Sequence, residues 1–305
     1  MTCSYDKIRV AVVGLGNVGR GALDAIEVAP DMEIAGIVER EEAIASIQAA
    51  FPQTQVVSSI EQLTQVDVAV LAVPTRSVPE MAKRILASGI STVDSFDIHG
   101  SDLWQLRCDL DPIAKQAGVA SISSAGWDPG TDSLIRAIFA IQAPRGISYT
   151  NFGPGMSMGH TVAVKKIAGV RDALAMTLPK GLGQHKRMVY VELLDGYCLE
   201  DVAQAIKQDA YFCHDETHVQ AVDDVRELAD TGHGVLLERK GIAGRTANQI
   251  FRYEIRVTNP AVTGQVLVST ARAAKRMSAG AYTMLEVPLV KYLPGNLEEI
   301  VKRHV

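Results

Sequence analysis

The feature that most constrains this chain is a glycine pattern set between a strand-like and a helix-like segment near its start. Val10-Ala11-Val12-Val13 leads into Gly14-Leu15-Gly16-Asn17-Val18-Gly19, and Arg20-Gly21-Ala22-Leu23 continues with helical character. In that setting Gly-x-Gly-x-x-Gly is a dinucleotide-binding fingerprint. Gly14 allows the tight turn, Gly16 lets backbone amides approach a pyrophosphate, and Gly19 lets helix and strand pack closely. The helix N-terminus adds partial positive charge for the phosphates. Leu15, Asn17 and Val18 complete the expected loop contacts. Three glycines can also form a purely structural turn, but the flanking strand and helix favour the cofactor.

The first third of the chain continues the rhythm that this motif begins. Ile8-Val13, Val18-Val28, Ile34-Val38, Val68-Val73, Val78-Leu86 and Thr92-Asp94 alternate strand-like with helix-like runs, which predicts a parallel sheet with helices on both faces. After about Ala125 the pattern changes to period two, in Val189-Leu193, Val235-Arg239 and Gln249-Val257. Such alternation predicts strands with one buried and one wet or partner-facing side. Helical stretches at Leu199-Gln208 and Thr263-Met277 lie around them. The expectation is an α/β fold: a Rossmann dinucleotide-binding domain over 1–124 and 283–305, and an α+β domain with an open-faced mixed sheet over 125–282. The second domain is expected to bind substrate and to pair subunits. Leu293-Pro294-Gly295-Asn296 reads as a turn and Leu297-Arg303 as a final helix returning to the first domain. A length of 305 residues suits two such domains.

Composition excludes several function classes. A net charge of −5 with no basic block gives little attraction for nucleic acid or an anionic membrane surface. No apolar run approaches the ~20 residues that span a bilayer. The start, Met-Thr-Cys-Ser-Tyr-Asp-Lys, has no leader-like segment, so a cytoplasmic location is expected. Cys3, Cys108, Cys198 and Cys213 are scattered without a Cys-x-x-Cys pair and read as reduced thiols, not as a zinc or disulfide set.

The second strand ends at Glu39-Arg40-Glu41, near the ~20-residue offset at which an acid usually holds the adenosine ribose. Glu39 favours NAD, whereas Arg40 can lie on a 2'-phosphate and stack on adenine. Both could also be a solvated strand end.

Thr92-Val93-Asp94-Ser95-Phe96-Asp97-Ile98-His99, Ser124-Ala125-Gly126-Trp127-Asp128-Pro129-Gly130 and Asn151-Phe152-Gly153-Pro154-Gly155-Met156-Ser157-Met158-Gly159-His160 resemble signature segments of the meso-diaminopimelate D-dehydrogenase family. Thr177-Leu178-Pro179, His185-Lys186-Arg187, Thr231-Gly232-His233-Gly234 and Asn259-Pro260 extend the likeness, in order, over nearly the whole chain. It is similar to the shorter, more substrate-tolerant members.

The resemblance implies oxidation of the D-centre of meso-2,6-diaminopimelate with NADP(H), expected ahead of NAD(H), to give ammonia and L-2-amino-6-oxopimelate. The reverse reaction is reductive amination of 2-keto acids. It assigns Asp97 and Asp128 to the reacting amine. Two neighbouring carboxylates raise one another's proton affinity, so one can take a proton from the ammonium before hydride leaves. Cofactor contacts are expected to extend to Val73, Pro74, Thr75, Ser95, Phe96, Gly126 and Trp127. At the distal head, Arg187 is expected to grip a carboxylate, with Thr177 and His233 donating and Asn259 beside them. Phe152 and Met158 become pocket walls, and Gly159 lets backbone approach the D-end carboxylate. Read singly, Asp97 caps a loop, Asp128 sets a turn, His233 is a turn residue between glycines, and Phe152 and Met158 are core. Phe152 stands where a tryptophan is common, and the loop after Pro179 is short. Glu39-Arg40-Glu41 is also less basic than an NADP enzyme's strand end.

Rival readings have their own residues. Gly155-Met156-Ser157-Met158-Gly159 fits the Gly-x-Ser-x-Gly nucleophile elbow, but Gly153-Pro154 argues against a direct strand into it. His214 and His218 are four apart, as for a helical zinc pair, but the order is wrong for His-Glu-x-x-His, so a solvated helix end or loop is expected and no metal. A nicotinamide-sensing regulator would share the fingerprint but lack a substrate cavity, and the paired aspartates and the distal basic cluster count against it. A sugar dehydrogenase of similar architecture would carry a Glu-Lys-Pro segment, which does not occur here.

Overall fold

The computed structural model describes residues 7–228 and 232–305. Cys3 and Thr231 lie outside the described residues. The elements run β1 (Ile8–Val13), α1 (Asn17–Glu27), β2 (Met32–Val38), α2 (Glu41–Ala50), β3 (Val56–Val57), β4 (Val68–Leu71), α3 (Val78–Ala87), β5 (Ser91–Asp94), α4 (Ser101–Ala117), β6 (Ala120–Ser123) and α5 (Thr131–Gln142). They continue as β7 (Arg145–Phe152), β8 (Gly155–Met156), α6 (Met158–Val164), β9 (Val170–Gly181), β10 (Gln184–Leu193), α7 (Leu199–Gln208), β11 (Glu216–Ala221), β12 (His233–Ala243) and β13 (Thr246–Val257). The chain ends with α8 (Asn259–Arg276), β14 (Gly280–Thr283) and α9 (Leu297–His304).

The first unit is a seven-stranded sheet in the order β14-β6-β5-β4-β1-β2-β3, parallel throughout. Its central strands β4, β5 and β6 are buried at every position because both faces are covered. Val10, Val12, Val68, Val70, Val93 and Ile122 face Ala22 and Ile26 of α1 and Leu267, Val268 and Ala271 of α8. The alternate residues Ala11, Val13, Ala69 and Leu71 face Ala82, Ile85 and Leu86 of α3 and Leu106, Leu110 and Ala114 of α4. Each fully buried Val, Leu or Ile contributes roughly 1.5–3 kcal/mol.

The compact units divide elsewhere than at 124/125 and 282/283. One holds the described residues up to Ile135 together with Pro260–Val305; the other is Arg136–Asn259. The physical reason is α8. A Cβ on Gly21 would meet the Pro260 carbonyl oxygen at 2.7 Å, so α1 and the start of α8 pack backbone to backbone. The buried Arg272 of α8 then donates to Asp31 at 2.6 and 2.7 Å and to the Tyr292 carbonyl at 2.9 Å. β14 follows and extends the sheet beside β6. Expected Thr263-Met277 helix and expected final helix both form, and Ile300 of α9 is buried.

The second unit holds two sheets where one was expected. The mixed sheet is β11-β10-β9-β8, with β10 and β11 parallel and the other pairs antiparallel. Val189, Val191, Ala173 and Ala175 pack on Val202 and Ile206 of α7 and on Phe212. The second sheet is antiparallel, β13-β12-β7. Along β13 exposed and half-buried residues alternate, so its period-two sequence reflects an open face. Leu182 and Gly183 alone join β9 to β10, both at positive φ, as a two-residue hairpin turn requires.

Candidate active site

The glycine loop behaves as its sequence requires. Gly14 has φ +88°, and a Cβ on Gly19 would strike the Gly14 carbonyl, so neither position accepts a side chain. A Cβ on Gly16 would meet nothing within 4 Å, which leaves room in front of the loop. The helix that follows has no side-chain cap and no acid in its first turn, so its leading amides are not met by a carboxylate of their own. That donor set fits a dinucleotide pyrophosphate.

Glu39, at the end of β2, accepts hydrogen bonds from the Leu15 amide at 2.7 Å and the Arg40 amide at 3.1 Å. Burial raises its pKa, but these bonds and Arg40 outweigh it and hold the carboxyl below its ordinary value. The Arg40 guanidinium is exposed, 3.5 Å from Glu39 and 3.4 Å from Glu42. Glu39 therefore ties the glycine loop to the second strand, a role that the offset rule alone did not reveal.

The loops leaving β5 and β6 are joined by Asp94, which is fully buried. Its Oδ1 accepts from the Phe96 amide at 3.0 Å and the Ser124 amide at 3.2 Å, and its Oδ2 accepts from Ser123 Oγ at 2.9 Å. Ser124 Oγ returns a bond to the Phe96 carbonyl at 2.7 Å. Burial pushes the Asp94 carboxyl up to about 6. Ser95 and Phe96 thus lie on one tethered loop, with Asp97 next along it. Asp97 is exposed and accepts a 2.6 Å bond from Thr75 Oγ1, which brings the Val73-Pro74-Thr75 segment after β4 to the same edge.

Gly126, Trp127 and Asp128 form the turn leaving β6. It is closed by the Asp132 amide donating to the Trp127 carbonyl at 2.9 Å and by the Thr131 amide donating to Gly126 at 3.1 Å. Asp128 is half-buried. Both aspartates, with the glycine loop, stand at the C-terminal ends of the parallel strands, where such sheets bind ligands.

In the second unit, Thr177 of β9 and Arg187 of β10 face each other directly. Arg187 Nη1 donates to Thr177 Oγ1, and its Nε donates to Asp215 Oδ2 at 2.7 Å. Phe152 ends β7 opposite Val235 and is exposed, not core. His233 begins β12 and is not in a turn; burial lowers its pKa. A Cβ on Gly155 would come 3.1 Å from His233 Cα, so the Gly155 and Gly232-His233 segments lie backbone to backbone. Asn259 opens α8. Met158 and Gly159 open α6, and their surroundings lie outside the described residues. Asn151 is buried and holds Glu238 at 2.8 Å while accepting from the Gly183 amide at 2.8 Å, which pins the β9–β10 turn onto β7.

Ser157 does follow a strand directly, since β8 precedes it, which corrects the expectation drawn from Gly153-Pro154. Its φ of −111° is ordinary extended backbone, unlike a strained elbow. His160 Nε2 lies 3.1 Å from the Tyr211 carbonyl and must donate there, so Nδ1 accepts the Ser157 hydroxyl at 2.8 Å. Burial and the nearby Arg187 lower the His160 pKa, the direction that favours this neutral tautomer. His218 lies in β11, its Nε2 2.8 Å from Glu216 Oε1, so the two histidines share no helix face. Among the described residues no group of three His, Cys, Asp or Glu could hold a metal, and no helix is long and apolar enough to cross a membrane.

Residues 8–93 match the oxidoreductase family with an NAD-binding Rossmann fold, and residues 126–182 match the diaminopimelic acid dehydrogenase C-terminal domain. Fold and family matches together define a nicotinamide-dinucleotide oxidoreductase of the diaminopimelate dehydrogenase class, which acts on a CH–NH2 group. The chain is 57% identical to the meso-diaminopimelate D-dehydrogenase of Bacteroides fragilis, over 96% of this chain and 97% of that one. Its fold matches the Corynebacterium glutamicum diaminopimelate dehydrogenase solved with diaminopimelate, with a TM-score of 0.79 and 29% identity over 99% and 100% of the two chains. An engineered D-amino acid dehydrogenase bound to NADP+ matches with a TM-score of 0.69 and 28% identity over 98% and 100%. The chain belongs to the meso-diaminopimelate D-dehydrogenase family.

Two residues escaped the sequence reading. Asp94 stood in the sequence only as a strand end within the Thr92–His99 segment, and Asp215 only between the two histidines of the rejected zinc pair.

Proposed function

We propose that this enzyme oxidises the D-centre of meso-2,6-diaminopimelate: substrate, water and NADP+ give L-2-amino-6-oxopimelate, ammonium, NADPH and a proton. The observation that carries this reading is the pair Asp97 and Asp128 on two loops that Asp94 ties at the strand ends. A bound nicotinamide dinucleotide would supply the hydride acceptor for the D-carbon. Asp97 and Asp128 hold the amine, and one of them takes its proton. Thr75 keeps one Asp97 oxygen occupied at 2.6 Å and so fixes which oxygen faces the amine. Thr177, Arg187, His233 and Asn259 hold the distal head, and Phe152, Met158 and Gly159 line the pocket. The exposed Phe152 and the two-residue turn after β9 support tolerance of other D-amino acids and 2-keto acids.

NADP(H) is the preferred cofactor in this proposal. Both Glu39 oxygens already accept amides, and the exposed Arg40 is placed to meet a 2'-phosphate. The protein works in the cytoplasm as a homo-oligomer on a small-molecule substrate, with no nucleic-acid or membrane partner. The test is initial rates with the meso, L,L and D,D isomers and each cofactor, on wild type, Asp97→Asn and Asp128→Asn. Each variant is expected to lose at least ~100-fold in turnover, the range of acid–base roles. Near-wild-type turnover in both would reject the assignment.

A further inference from the structure

Arg187 needs to be held before it can read a substrate. A free arginine side chain carries about 2 kcal/mol of rotamer entropy and sweeps a wide volume. Here Thr177 takes Nη1 from the neighbouring antiparallel strand, and Asp215 takes Nε from the other side. Asp215 immediately precedes β11, the parallel neighbour of β10, in which Arg187 faces Thr217. The carboxylate therefore reaches the guanidinium from one strand over. Its second oxygen lies 4.0 Å from His185 Nε2.

We propose that Asp215 is the positioning residue of distal-head recognition: it fixes the plane of the Arg187 fork so that the guanidinium meets the carboxylate of an amino-acid head in one orientation. This rests on the function proposed above. The Arg187 and Asp215 side chains are only 11% and 24% exposed, so losing the pair also costs some stability, and it is the split between KM and kcat that separates positioning from a merely structural role. With its Nε anchor gone, the fork still carries charge but loses direction, so the cost falls on binding the distal head and not on the chemistry at the far carbon.

The experiment compares wild type, Asp215→Asn and Asp215→Glu as full-length protein, with meso-diaminopimelate at saturating NADP+. For Asp215→Asn, KM is expected to rise at least ~10-fold, the effect of losing one charge-assisted hydrogen bond, with kcat and dinucleotide affinity within about twofold. Asp215→Glu, which keeps the charge, recovers most of that loss. An Asp215→Asn KM within about twofold of wild type, or a kcat and dinucleotide affinity that fall with it, overturns the proposal. Inactivity of the wild type itself would sink the reading of the function first.

Discussion

Replacing Asp94 separates the two things a buried carboxylate does here, which are to carry charge and to tie loops. Its carboxyl titrates at about 6 instead of 3.8, roughly two units, because burial penalises the ionised form. At 1.36 kcal/mol per unit, the ionised carboxylate costs the fold on the order of 3 kcal/mol well above pH 6. A folded pKa above the unfolded one contributes stability that is complete below about pH 4 and lost as pH rises through 6. Asp94→Asn removes that charge and keeps the geometry: Oδ1 still accepts the Phe96 and Ser124 amides, and Nδ2 can donate to Ser123 Oγ. Asp94→Ala leaves those donors without their acceptor, at about 1–3 kcal/mol for each buried one. Urea unfolding from pH 4.5 to 8 should show Asp94→Asn gaining on wild type above pH 6, and Asp94→Ala losing at every pH. Turnover should follow the ties, not the charge: near wild type in Asp94→Asn, reduced at least ~10-fold in Asp94→Ala, as misplaced catalytic groups cost. Equal stability of wild type and Asp94→Asn across this range, or full turnover in Asp94→Ala, would refute the reasoning.

The parallel sheet and its glycine loop were legible because their rules are local. The run at Ile8–Val13, the three glycines and the next helix each follow from backbone freedom and apolar periodicity within a few residues. The Leu199–Gln208 helix was legible for the same reason. What escaped was long-range. α8 joins the first unit through backbone contact at Gly21 and the reach of Arg272 to Asp31, 241 residues away, and no local pattern encodes either. The split into two sheets depends on which strands pair, and period two shows a half-buried strand without naming its neighbour. At the site, Asp97 and Asp128 are proposed through the family likeness, whereas Asp94 and Asp215 bond to other residues' atoms. Their roles appear only once hydrogen bonds are drawn.

Two further predictions follow from the same physics. Ile147 and Ile250, on the edge strands of the antiparallel sheet, are 52% and 59% exposed, so purified protein is expected to elute as at least a dimer; elution only as monomer would remove the proposed pairing. Asp31→Asn tests the clasp between the segment before β2 and α8. The Arg272 side chain is 4% exposed, and losing its carboxylate leaves a buried cation short of a partner, at about 3 kcal/mol, the low end for buried pairs because a quarter of Asp31 is in water. Burial raises the Asp31 pKa, yet Arg272 outweighs it and holds the carboxyl below its usual value. The clasp therefore contributes fully above the unfolded pKa of about 3.9 and is lost as pH falls through the folded one. Wild type and Asp31→Asn should differ in urea unfolding at pH 7 and converge in strong acid; a gap of constant size from pH 7 to pH 2 would show that the charge of Asp31 is not what holds α8 in place.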